Sequence, residues 1–171
     1  MSSWSAAKEP LRLLEKERAA GDKTPKAISC YGVYLPDARQ REQEMLLRFV
    51  EGRPVSSITC CFLSWICQRL EATGIKAPVL IWDNAGWHIS AEVKSWIGAY
   101  NRSAKARRGL RLLVFRLPSK SPWLNRIEPK WLHGKRAVVE PERVLSSEEL
   151  VERICRYYGC EQLPNLEQEL P

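Results

Sequence analysis

The sequence predicts an α/β domain built around one mixed sheet flanked by helices, because two apolar rhythms alternate along it. Short runs rich in β-branched and aromatic residues, such as Ala27–Leu35 (AISCYGVYL), stop at proline or glycine and read as strands. Between them, Ser56–Glu71 and Ser90–Tyr100 carry apolar residues every three or four positions, the spacing of a helix with one buried face. At 171 residues with 44% hydrophobic content, the chain has room for one domain with a core of its own.

Taken in order, Leu11–Glu17 (LRLLEKE) is a brief apolar run compatible with a strand, and Gly21–Pro25 is a loop. Ala27–Leu35 is the next strand, closed by Pro36, and Asp37–Glu44 is a charged connection. Leu46–Val50 leads into a break at Gly52 and Pro54. From Ser56 or Ser57 to Glu71, the residues Ile58, Phe62, Trp65, Ile66 and Leu70 keep helical spacing, and Gly74 lies just past the end. Val79–Trp82 is apolar without alternation, the pattern of a strand covered on both faces. Ser90 can cap a helix whose stripe is Val93, Trp96, Ile97 and Tyr100. Asn101–Gly109 is polar and basic, and Leu110–Leu117 (LRLLVFRL) is a further strand.

A proline-punctuated turn then leads to a helix from about Pro129. Ser146 and Glu149 form an S-x-x-E capping box, with Leu145 and Leu150 at staple positions. Leu150, Ile154 and Tyr157 give that helix its apolar face, and Gly159 ends it. The proline-bracketed, acidic stretch 161–171 reads as a loose tail to a domain spanning residues 1–160.

With 27 Lys and Arg against 20 Asp and Glu, the net charge of +7 favours a polyanionic partner. The six cysteines contain no C-x-x-C pair and lie far in sequence from the two histidines, which argues against structural zinc. Cys60, Cys61 and Cys67 sit among large apolar residues and read as small core hydrophobes of a reducing cytoplasm. No apolar run is long enough to span a membrane.

Two carboxylates stand out. Asp83 ends the apolar run of APVLIWDNAGW, and in open α/β sheets functional groups gather where strands end at their carboxyl side. An Asp there can coordinate Mg²⁺, which takes one or two carboxylates plus water and phosphate oxygens; Asp83 and Asn84 equally suit a simple turn. Glu128, in LPSKSPWLNRIEPKW, falls at a helix start. It is either the N3 member of a capping box begun by Asn125 or, with Pro129 first in the helix, the cap itself.

WDNAGWHIS, LPSKSPWLNRIEPKW and GKRAVVEP, in this order, resemble the DDE transposases of the mariner superfamily, specifically their bacterial insertion-sequence branch. The likeness runs from about Leu11 to Cys160 and departs from the family at Arg126, where proline is usual. It implies an RNase H-like fold and a metal-dependent endonuclease and strand transferase acting on DNA phosphodiesters. Mg²⁺ or Mn²⁺ would be held by three carboxylates, Asp83 and Glu128 among them. Two such ions, about 3.5–4 Å apart, clamp the attacking and leaving oxygens of an in-line displacement. His88 follows the family's histidine position and is either a contact to DNA or the reacting phosphate, or a satisfied loop histidine. Lys120, Lys130, His133, Lys135 and Arg136 would hold the DNA backbone, whereas the 102–108 basic cluster reads as solvated surface. Trp123 and Trp131 read as packing groups. The partners implied are transposon ends and target DNA, with a second copy or a full-length transposase as a further associate, in a nucleoid-associated cytoplasmic setting.

The family's first catalytic Asp lies on the first strand, ahead of two more strands and a helix. Here only Leu11–Glu17 and Ala27–Leu35 precede the Ser56–Glu71 helix as strand candidates, and no Asp ends an apolar strand before them. The expectation is therefore a sheet without its first strand and a metal site without its first carboxylate. The chain would then be catalytically incomplete, or a non-catalytic DNA-binding or dimerising remnant.

Overall fold

The computed structural model describes residues 2–4, 10–12, 28–36, 44–139 and 145–166, the first two stretches as backbone only. Among the described residues, four strands precede the first long helix. β1 (Ser2–Trp4) pairs antiparallel with β2 (Pro10–Arg12), and β3 (Ile28–Tyr34) pairs antiparallel with β4 (Met45–Glu51) in a register from Ile28↔Glu51 to Tyr34↔Met45. The predicted Leu11–Glu17 strand thus coincides with β2 only to Arg12, its remainder lying outside the described residues.

β4 corrects the two-strand count, since Leu46–Val50 read only as a lead into a break. Its burial explains why no alternation marks it: residues 45–50 are all buried, so neither face needs polar side chains. Leu46 and Val50 join Tyr31 against α1 (Ser56–Ala72), packing on Ile58, Phe62, Leu63 and Ile66. Met45, Leu47 and Phe49 point the other way, onto Val151 and Cys155 of α5 (Ser147–Tyr158) and Trp131 of α4 (Glu128–Val138). Arg48 is 1% exposed between them; it donates from Nη2 to the carbonyl of Pro164 at 2.9 Å and lies over the Trp65 ring.

After α1 the chain forms β5 (Val79–Trp82), α2 (Gly86–Ile89), α3 (Ala91–Ala106) and β6 (Leu113–Arg116). β5 and β6 pair in parallel, Val79↔Leu113 through Trp82↔Arg116. Leu80, Trp82 and Val114 turn to the α1–α3 core. Val79, Ile81, Leu113 and Phe115 turn away and remain 44–62% exposed. The prediction that Val79–Trp82 is covered on both faces is corrected accordingly, because the helices that cover this pair lie on one side of it. Among the described residues, β3–β4 and β5–β6 share a core without hydrogen-bonding to one another, so the single continuous sheet expected from sequence is three two-stranded pieces.

Local signals place the helix ends as predicted. The Ser90 hydroxyl accepts the Val93 N–H, and Ser146 and Glu149 close a reciprocal capping box. Gly159 ends α5 in the left-handed region at φ 64°. The buried face of α5 is Val151 and Cys155, with Ile154 and Tyr158 beside them; Tyr157, predicted to face inward, is 46% exposed. The stretch from Glu161 to Leu166 is not loose, since Leu166 is fully buried in the main core and Pro164 is held by Arg48. Trp131 packs as expected: its ring occupies the space where a Cβ on Gly32 would stand, 2.6 Å away. Trp123 does not pack and is 75% exposed. Cys60 and Cys67 are buried free thiols, as small core residues are.

Candidate active site

The carboxyl ends of β5 and β6 are stitched together, which fixes the loop that carries Asp83. The Leu117 N–H donates to the Trp82 carbonyl at 2.9 Å, and the Asn84 side-chain amide donates back to the Leu117 carbonyl at 2.7 Å. Asp83 Oδ1 accepts the Ala85 N–H at 3.0 Å, so the turn the sequence allowed does form. The one-turn helix α2 then returns His88 to the same oxygen, with Nδ1 2.7 Å from Oδ1. The imidazole stacks on the Trp82 indole, ring centroids 4.7 Å apart and planes within 6°, and the Trp87 ring meets its edge. His88 is therefore held from two sides, by a carboxylate and by an aromatic face. Asp83 keeps half of its side chain exposed at the strand end.

Glu128 is the first residue of α4, with Ile127 as N-cap and no side-chain cap. Neither capping role read from the sequence is realised, because a 3₁₀ turn at Pro122–Leu124 and the bond from the Glu128 N–H to the Asn125 carbonyl set the helix start instead. The carboxylate stands exposed at the helix N-terminus, where the macrodipole favours a negative charge. Among the described residues no three of His, Cys, Asp and Glu gather as a metal-holding group, so Glu128 does not join Asp83 and His88 in one cluster.

The predicted DNA-contacting residues differ in exposure. Lys130 is engaged: its ammonium donates to Glu44 at 3.1 Å and lies over the Tyr34 ring, and the Glu44 carboxylate raises its pKa. His133, Lys135 and Arg136 are exposed on α4, and Lys120 is exposed in the preceding turn at a positive φ of 59°. In the 102–108 cluster, Arg107 is structural. It donates to Glu71 at 2.7 Å, and with the Leu110 N–H it holds the Glu71 carboxyl below its usual range.

Sequence reading missed one feature beside Asp83. On the core face of the β5–β6 pair, a cleft of about 300 Å³ is lined by Trp82, His88, Lys94, Ile97, Val114 and Arg116. The Trp82↔Arg116 register that creates one wall is invisible until the strands are paired. Among the described residues, the Trp82 Nε1 is buried with no hydrogen-bond partner.

A protein-family model described as "DDE superfamily endonuclease" matches residues 15–151, four-fifths of the chain. Comparison with curated proteins gave no match, and neither did comparison with solved structures. No helix among the described residues is long and apolar enough to cross a membrane.

Proposed function

The chain belongs to the DDE endonuclease superfamily, and from that premise we propose a transposase-type function on DNA. In this reading, residues 1–160 are an RNase H-like catalytic domain of the mariner superfamily's bacterial insertion-sequence branch. It nicks transposon ends and joins the freed 3′-hydroxyl to target DNA at the nucleoid. The observation that carries the reading is the placement of Asp83 at the carboxyl end of β5, with one oxygen held by Ala85 and His88.

Asp83 and Glu128 are each the kind of donor a divalent cation takes, though they do not gather into one metal-holding group among the described residues. Asp83 uses only Oδ1 in its hydrogen bonds, so Oδ2 is available, and Glu128 is exposed in the first turn of α4. Both are hard carboxylate oxygens of the kind Mg²⁺ or Mn²⁺ takes alongside water and phosphate. An ion held by Asp83 and Glu128 would supply Lewis-acid activation of the phosphoryl group and of the attacking oxygen. His88 fixes the orientation of the Asp83 carboxylate, and its Nε2 remains to meet DNA. Lys120, Lys130, His133, Lys135 and Arg136 neutralise backbone phosphates, each adding to a salt-dependent affinity.

A second reading is favoured by the absence of a three-carboxylate group among the described residues: a DNA-binding or dimerising protein that competes for ends, with itself or a full-length transposase as partner, without cutting. Incubating the full chain with transposon-end duplex and Mg²⁺ or Mn²⁺ separates the two. Metal-dependent nicking that is lost in Asp83→Asn and in Glu128→Gln supports the first. Salt-sensitive binding with no nicking supports the second.

A further inference from the structure

We propose that Cys155 and Cys160 are a thiol–disulfide site at the carboxyl end of α5, bridged reversibly by exchange with a small disulfide such as oxidised glutathione. The site draws on no residue of the Asp83 loop. Its two thiols are free and serve no step of the DNA chemistry.

The helix end itself brings the pair together. The Cys160 N–H donates to the Cys155 carbonyl at 2.9 Å, and inside that bond the Gly159 N–H donates to the Arg156 carbonyl at 3.3 Å, with Gly159 left-handed at φ 64°. These nested bonds are the Schellman ending, whose first and last residues turn their side chains to the same side. Summing the bonds from Cα to Cα through the outer hydrogen bond caps that separation at about 7 Å, and the bend at each atom shortens it further. Disulfides span about 4.4–6.8 Å between Cα atoms. Both side chains belong to the apolar cluster between β4 and α5, Cys155 at 4% exposure and Cys160 half-buried. Among the described residues their sulfurs donate only to backbone carbonyls: Cys160 to Met45 at 3.0 Å and Tyr158 at 3.6 Å, Cys155 to Glu161 at 3.9 Å. Thiols are weak donors, so a bridge gives up little in leaving those contacts. Cys30 packs on the same cluster from β3 and is the competing partner.

Exposure assigns the roles. Cys160 is the thiol a solute reaches first, and its thiolate attacks one sulfur of oxidised glutathione, forming a mixed disulfide and releasing one glutathione thiolate. The Cys155 thiolate then attacks Cys160 Sγ, forming the protein bridge and releasing the second. Two protein thiols lose two protons and two electrons, and one glutathione disulfide becomes two glutathione thiols. The bridged turn contains Tyr158, whose hydroxyl donates to the Lys130 carbonyl at 2.6 Å, so the bridge ties the redox state of α5 to the seat of α4.

The test incubates the full-length protein with oxidised glutathione at pH 9, because burial pushes the Cys160 thiol up to about 11 and thiolate is scarce at neutral pH. Remaining thiols are then alkylated and the chain is digested with trypsin. Trypsin cuts after Arg153 and Arg156, on both sides of Cys155, so only a bridge holds the Cys155 fragment to the one that begins at Tyr157. Mass spectrometry should find that linked pair two hydrogens lighter than its separate fragments, and thiols titrated in denaturant should fall by two from six. Dithiothreitol should restore them. Cys160→Ser should abolish the linked pair, and Cys30→Ala should leave it. In the folded chain the bridge should withstand about tenfold more reduced glutathione than in urea, because the helix end holds the pair in place. A linked pair that contains Cys30 overturns the proposal, as does glutathione retained on Cys160 without a bridge, or six surviving thiols. Equal resistance to reduced glutathione in the folded and urea-unfolded chain overturns it too.

Discussion

Gly134→Ala separates local propensity from tertiary packing in the helix that carries Glu128. In an exposed helix this change stabilises by about 0.8–1.0 kcal/mol, because glycine is the freer residue in the unfolded chain. Here Gly134 is buried against α5, and a Cβ built on it overlaps the Tyr158 hydroxyl and comes within 2.8 Å of Tyr158 Cζ. That hydroxyl donates to the Lys130 carbonyl at 2.6 Å, and the Tyr158 ring meets the Trp131 ring edge-on at 6.1 Å. Accommodating the methyl means moving a wedged aromatic side chain. The lost hydrogen bond costs about 1 kcal/mol and the overpacking about 1–3 kcal/mol. Set against the gain in propensity, the net expectation is a destabilisation of about 1–3 kcal/mol. Urea unfolding followed by tryptophan fluorescence reads this as a lower midpoint at unchanged slope. Adding Tyr158→Phe, which removes the overlapping oxygen, should make the Gly134→Ala penalty clearly smaller than in the wild-type background. A single variant as stable as wild type, or more so, would refute the account of how α4 is seated.

Other expectations concern the tail, the cap, the uncovered strand face and the thiols. Leu166→Ala should cost about 2–5 kcal/mol, as truncation in a closed core does; a thermal midpoint unchanged from wild type would show that the 161–166 stretch is loose after all. Ser146→Ala removes one half of the capping box and should cost about 1 kcal/mol by the same denaturant assay, with Ser146→Asp close to neutral. Phe115→Ser, on the 62% exposed side chain, should leave stability within about 0.5 kcal/mol and reduce light scattering in concentrated samples. A large stability loss there would mean the face is covered in solution. Burial pushes the Cys60 and Cys160 thiols up to about 11 from an ordinary 9.0. Their contribution to stability is therefore complete below pH 9 and lost as the pH rises through 11, and urea midpoints at pH 8 and 10.5 should show the fall. That fall should shrink in a Cys60→Ala/Cys160→Ala variant.

Much of this protein follows from local chemistry alone. The α1 and α3 helices, the Ser90 and Ser146 caps, the Gly159 terminus and the strands around Cys30 and Leu80 are encoded in residues close together in the chain, because capping and periodicity act over one or two turns. The DDE superfamily was equally legible, since WDNAGWHIS and LPSKSPWLNRIEPKW are contiguous strings that need no fold to be seen. What only tertiary structure decided are properties of pairs distant in sequence. β4 carries a buried arginine and no alternation, and it becomes recognisable as a strand only once helices cover both of its faces. β5 looked doubly covered because its four residues are all apolar; which side stays open depends on where α1 and α3 lie. Leu166 belongs to the core because Arg48, far away in the chain, holds the carbonyl of Pro164. The site divides the same way: a strand-end aspartate can be read from a motif, but its union with His88, and the cleft walled by Trp82 and Arg116, required a helix turn and a strand register to bring those atoms together.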